Sequence, residues 1–410
     1  MFTGDRVWQL ASTNEGPARE INQAELRRYR LNRVREQLLR RDYAAALLFD
    51  PVSIRYATGT SNMQVWTLHN AARYAFVPAQ GPVILYETHG CGHLASGVET
   101  VDEVRSAIPW YFFAAGPRCA TNAKLWANEI ADLVQIYGGG NRRVAVDRCE
   151  PFGAAELLRL GITLHDGQEV LELARAIKSV EEIEAIELAI SVCESGMRRM
   201  QEAMWPGMTE NEVWAILHHE NIARGGEWIE TRLLTSGTRT NPWMQESSDR
   251  IIEAGDLLCF DTDLIGPNGY LADISRSWLV GEGRPTDEQR RLYGMAREQI
   301  EFNMALLKPG LGFRELMEEA WKIPDLYAPN RYAIIVHGAG LCDEYPTIPY
   351  PHDFAKVGYD GVVEENMVLC VESYIGAVGG KQGVKLEQQV LISPTGCRSL
   401  SSYPFEEAFV

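Results

Sequence analysis

Residues 259–277 read CFDTDLIGPNGYLADISRS, and no other stretch constrains the chain as strongly. The apolar run 257–260 has the length and composition of a buried strand, and it delivers Asp261 and Asp263 at its end. Positions two apart on a strand share a face, so both carboxylates are expected to point into one site. Gly266, Pro267, Asn268 and Gly269 supply turn chemistry, and Tyr270 and Leu271 restart an extended segment that carries Asp273 back. A single aspartate near a turn is ordinarily a solvated or capping group. Three acids converging from one hairpin repel each other unless a cation sits between them. A metal site is the simplest expectation.

Three later segments add candidate ligands. In 333–341, AIIVHGAGL, a strand ends at His337 and the glycines after it let backbone approach closely. In 368–374, VLCVESY, Glu372 lies inside an apolar run, where a carboxylate needs a cation or a hydrogen-bond network. In 383–392, GVKLEQQVLI, Glu387 alternates with apolar neighbours; a glutamate on the solvent face of an edge strand is an equal alternative there. Five carboxylates and one imidazole suit hard or borderline divalent metals (Mn, Fe or Co, with Zn possible) better than copper or a thiolate site. So many carboxylates overcharge a single ion. Two ions bridged by shared carboxylates balance them.

The remaining chain reads as two α/β domains, expected at 1–170 and 171–410. Residues 1–24 are polar and irregular, and are expected to form an arm. A helix is expected over 24–41, strands over 44–49, 82–87 and 144–147, a turn at Asp50-Pro51, and a helix over 125–137 stopped by three glycines. Ser179 and Glu182 form a capping box that opens a long amphipathic helix. Pro206-Gly207 breaks it, and Thr209 starts the next. Helices are also expected over 287–306 and 313–321. The formal charge of −17 argues against nucleic-acid or anionic-membrane partners. Eight cysteines without close pairing read as reduced thiols. With no apolar leader in the first residues, a cytoplasmic enzyme is expected.

The order Asp…Asp…His…Glu…Glu, preceded by KSVEEIEAI, resembles the pita-bread superfamily of prolidases, creatinases and methionine aminopeptidases. GYLADISRS, HGAGL, EYPTIPY and GVKLEQQVLISPTG are similar to its C-terminal signatures, over 177–396. The resemblance implies a small creatinase-like α/β domain followed by a pita-bread domain, whose curved sheet carries the ligands.

The chain departs from the peptidases of that superfamily at several points. Trp243 stands where a site histidine is expected before the first metal aspartate. HGAGLCDEYP is one residue shorter than the peptidase pattern and has Asp343 near its second histidine. The lead-in to His337 is IIVH, and the hairpin carries a DTD doublet, with Asp261 twelve and Asp263 ten residues before Asp273. Either or both of the doublet could bind metal. Loss of two histidines weakens the case for peptide hydrolysis.

These departures resemble one branch, the dimethylsulfoniopropionate lyases of marine bacteria. That resemblance implies iron at Asp261, Asp263, Asp273, His337, Glu372 and Glu387, Asp343 as catalytic base with Tyr332 in the pocket, and a homodimer. The substrate is a small zwitterion, and Tyr332, Trp243 and Trp66 are candidates for holding its sulfonium by cation–π contact. The alternatives are a metal-dependent Xaa-Pro dipeptidase, a non-catalytic binding module and, more remotely, a creatinase-like amidinohydrolase.

Overall fold

The computed structural model describes residues 21–409, so the expected arm lies, up to residue 20, outside the described residues. The chain divides into two compact units, Asn22–Arg175 and a second from Ala176 onward.

The first unit is a mixed six-stranded sheet in the order Glu103–Ser106, Ile84–Glu87, Tyr74–Pro78, Ala45–Leu48, Arg143–Val146, Thr163–Asp166. Helices Gln23–Arg40 and Cys119–Tyr137 belong to the same unit, and the second stops at Gly138 as its glycines require. Asp50-Pro51, expected as a turn, instead opens the helix Pro51–Thr58. The Asp50 side chain accepts the Val52 N–H at 2.8 Å, and proline at the first helical position has no N–H to lose. Strand Tyr74–Pro78 is an addition to the expected elements. It is buried throughout, so it shows no alternation to find.

The second unit begins with helix Val180–Ala203 behind the Ser179–Glu182 capping box, and Thr209 and Glu212 cap helix Glu210–Ala223 in the same way. Its strands fall into three hydrogen-bonded groups. Leu234–Ser236, Leu257–Phe260 and Arg276–Leu279 form one; Trp228–Ile229, Leu264–Ile265 and Leu271–Ala272 form another. The third has five strands, in the order Asp343–Pro349, Ile334–Ala339, Val368–Ile375, Val384–Ser393, Gly396–Ser399. Glu387 N–H donates to Ser275 O at 3.2 Å, joining the first group to the third.

Period-two alternation in the two long strands positions the site. Leu369, Val371, Leu386 and Val390 share a core with Tyr293, Ala296 and Ile300 of helix Asp287–Leu306. Cys370, Glu372, Lys385, Glu387 and Gln389 therefore face the opposite way. Register puts Glu372 across from Glu387 and Tyr374 across from Lys385. Glu387 is fully buried on an interior strand, which overturns the edge-strand alternative. Among the described residues no helix is long and apolar enough to cross a membrane.

Candidate metal centre

The acid hairpin reaches the site by a route different from simple strand alternation. The strand stops at Phe260, and Asp263 sits at a φ of +34°, a left-handed conformation costly for a residue with a Cβ. Two contacts hold it there. The Asp263 N–H donates to Asp273 Oδ1 at 3.3 Å, and the Thr231 hydroxyl donates to Asp263 Oδ2 at 2.5 Å. Backbone curvature brings the doublet together with Asp273.

All six expected ligands converge. Ligand atoms of Asp261, Asp263 and Asp273 lie within 4.8 Å of one another, as do those of Asp261, Glu372 and Glu387, and those of Asp273, His337, Cys370 and Glu387. Glu387, Asp261 and Asp273 each belong to two of these groups. His337 Nε2 faces Asp273 at 3.6 Å and Glu372 and Glu387 at 3.5 Å each. Its Nδ1 lies 3.0 Å from the Gly338 carbonyl, which can only accept, so the Nδ1 proton is fixed there and Nε2 is turned into the acids.

The charges show why this arrangement calls for cations. Burial first, and Glu387 next, push Asp261, Asp273 and Glu372 up from the ordinary carboxylate range. Burial and then Asp343 push Asp263 up to about 7. Burial opposes the charge on His337, yet Asp343, Glu372 and Glu387 together hold its imidazole well above the usual range. Glu387 goes the other way. Burial would raise it, but Lys385 and His337 keep it well below the usual value. Its Oε1 is buried and has no hydrogen-bond partner among the described residues. An orphaned carboxylate oxygen beside an inward-turned imidazole nitrogen fits a metal ion.

Sequence reasoning misses Lys385. Its ammonium is fully buried, 2.6 Å from Glu372 Oε2, 3.0 Å from Asp261 Oδ2 and 3.1 Å from Glu387 Oε2, and it donates to Ser275 Oγ at 2.7 Å. The Ser275 hydroxyl lies 2.7 Å from Asp261 Oδ1 and 2.8 Å from Glu387 Oε2, and its one proton can go to either. Gln389 Oε1 accepts the Asp273 N–H at 3.1 Å. Each of these three lies two positions from a candidate ligand in an extended segment, so alternation is the signal that could find them.

The remaining expected residues separate. Asp343 Oδ1 lies 3.4 Å from His337 Nδ1, and its side chain is 60% exposed. It is therefore both at the centre and reachable from solvent. Partial burial raises its pKa, His337 opposes this, and Glu387 and Glu344 add to the rise. Tyr332 is half-buried and has Lys385 Nζ over its ring at 4.7 Å. Burial, then Glu372, keep its phenol protonated. Trp243 is 7% exposed and stacks on Tyr374 at 6.3 Å, so the core takes up its ring. Trp66 belongs to the first unit, half-buried on the short helix Gln64–Thr67.

Metallopeptidase family M24 matches residues 184–394, and the creatinase/prolidase N-terminal domain matches residues 30–177. The chain is 43% identical over 390 residues to the dimethylsulfoniopropionate lyase DddP of Roseovarius nubinhibens, covering 94% of this chain and 87% of that one. It is 39% identical over 394 residues to the protein of the same name from Roseobacter denitrificans, covering 94% and 88%. A Xaa-Pro dipeptidase of Pyrococcus furiosus is 32% identical over 241 residues, covering 57% and 65%. Among solved structures, a Xaa-Pro dipeptidase from Bacillus anthracis superposes with a TM-score of 0.74 at 21% identity, covering 92% and 98%.

Proposed function

The chain belongs to metallopeptidase family M24 and, within it, to the group of its DddP relatives, and we propose that it is a metal-dependent lyase that cleaves dimethylsulfoniopropionate to dimethyl sulfide and acrylate. The observation that carries this reading is the placement of Asp343, an accessible carboxylate 3.4 Å from His337 at the edge of the buried acids. Positions 243 and 343, where the peptidases are expected to carry histidines, hold Trp and Asp.

The residues proposed to hold two divalent ions, iron in our reading, are Asp261, Asp263, Asp273, His337, Glu372 and Glu387. Five carboxylates carry five negative charges; the Lys385 ammonium offsets one, and two divalent ions match the remaining four. When bound, the metals supply Lewis acidity for the substrate carboxylate and for the charge that develops beside it.

The chain's own residues account for the rest. Asp343 takes a proton from the carbon α to the carboxylate, the C–H electrons form the new double bond, and the Cβ–S bond breaks. The sulfur leaves as neutral dimethyl sulfide with that bonding pair, so no general acid is required. An amide nitrogen would need one. Asp343 then returns its proton to solvent, to which it is open. Tyr332, held protonated, serves as a hydrogen-bond donor and as a ring wall for the sulfonium. Trp66 is a further aromatic candidate, and Trp243, stacked on Tyr374, stands with the core.

The alternative is a Xaa-Pro dipeptidase that keeps the ligand set. It is favoured only by the complete metal-binding constellation and by the Pyrococcus relative. We also propose that the enzyme is cytoplasmic, where eight free thiols stay reduced, and works as a homodimer, as the resemblance implies. The activity is tested by adding the sulfonium substrate to purified, metal-loaded protein and measuring dimethyl sulfide and acrylate in equal amounts.

A further inference from the structure

Lys178 and Glu344 form an ion pair at 2.7 Å, with side chains only 2% and 1% exposed. Neither is an expected ligand, and a buried pair is costly to maintain without a structural return. Its surroundings show the return. Asp343 and Glu344 are the first residues of strand Asp343–Pro349, so their side chains point to opposite sides. The Glu344 carboxylate turns back under the hairpin tip, where Oε1 accepts the Leu341 N–H at 2.9 Å and Oε2 accepts from Lys178. A Cβ at residue 340 would collide with that carboxylate, so Gly340 is what leaves room for it. Lys178 is anchored in turn: its N–H donates to Asn366 O at 3.0 Å, and it immediately precedes the Ser179 helix cap. The pairing across the hairpin shifts register between His337 and Gly338 and then resumes with Gly338 opposite Glu344 and Ala339 opposite Asp343, so the tip is offset from the rest of the ladder.

We infer that the Lys178–Glu344 pair is a positioning device that fixes the hairpin tip and holds Asp343 at its working distance from His337. The inference rests on Asp343 being the base. Proton abstraction from carbon demands close alignment, and a displacement of about 1 Å costs on the order of a hundredfold in rate.

The test is Lys178→Met and Glu344→Gln, with Lys178→Arg as the conservative variant. Each is measured for bound metal, melting temperature, kcat and KM, and for the isotope effect on substrate deuterated at the α-carbon. The expected result is a kcat per metal-loaded site lower by roughly a hundredfold, with KM little changed, an isotope effect larger than native, and recovery in Lys178→Arg. A kcat that falls only in proportion to lost metal or lost fold, with the native isotope effect, overturns the inference. If the single variants do not fold, Lys178→Met/Glu344→Leu replaces the pair with apolar volume and is judged by the same two readouts. Asp343→Asn separates the two levels. Native turnover in that variant defeats the base assignment, whereas an inactive Asp343→Asn beside a fully active Lys178→Met defeats only the positioning role.

Discussion

Lys385 Nζ lies 2.6 Å from Glu372 Oε2, so a lysine ammonium is built into the acid cluster. Two strand positions away on the same face is Glu387, which the ammonium also reaches at 3.1 Å. Burial alone would lower the lysine, yet Asp261, Glu372 and Glu387 hold it well above its usual range and keep it charged. It is a cation supplied by the chain itself beside the candidate metal ligands.

Replacing Lys385 with Met is therefore expected to destabilise the metal-free protein by about 3–5 kcal/mol, the cost of leaving buried carboxylates without their partner. Metal loading should recover much of that loss. Urea denaturation of metal-free and metal-loaded forms checks it, and equal stability of variant and native metal-free protein contradicts it.

Asp343→Asn is expected to lower kcat by about 10²–10⁴-fold while leaving two bound metals, because Asp343 is treated as the base and not as a ligand. The competing role is visible in the geometry. A carboxylate 3.4 Å from His337 Nδ1 could instead orient the imidazole. In that case the variant would lose about 10–100-fold in metal affinity. Metal titration beside steady-state kinetics distinguishes the two. The nearer acceptor for Nδ1 is the Gly338 carbonyl at 3.0 Å, which favours the base.

The legibility of the site is uneven for physical reasons. All six candidate ligands are legible because carboxylates and an imidazole in or beside apolar strands are costly to bury unless a cation or a polar network meets them. Glu387 is ambiguous in sequence because alternation does not tell which face of a strand is buried; the core side chains Leu386 and Val390 settle it by packing on helix Asp287–Leu306. Lys385 is hidden because a lysine in a strand looks like a solvent-facing residue. Asp263 reaches the expected place by a different route, since a left-handed φ of +34°, not strand alternation, aims it. In the first unit Asp50-Pro51 misleads because the same two residues suit a turn and a helix start equally well.

The titrations predict opposite pH responses for the metal-free and metal-loaded forms. Asp263 rises from an ordinary aspartate value when unfolded to about 7 when folded, and Asp261, Asp273 and Glu372 shift in the same direction. A raised folded pKa gives stability that is complete below the unfolded value and is lost as pH rises through the folded one. Metal-free protein should therefore lose stability between about pH 4 and 7. Glu387, shifted down, opposes this alone among the five candidate carboxylate ligands. Metal binding needs the deprotonated acids, so the gain in melting temperature on loading should grow over the same interval. A gain independent of pH would contradict the assignment of these acids as ligands.

The most direct test gives one metal-loaded preparation both dimethylsulfoniopropionate and a Xaa-Pro dipeptide, and measures headspace dimethyl sulfide and free amino acid in parallel. Steady release of dimethyl sulfide with no dipeptide cleavage, abolished in Asp343→Asn at unchanged metal content, is the predicted result. Dipeptide cleavage without dimethyl sulfide from the same fully loaded sample would contradict the lyase reading.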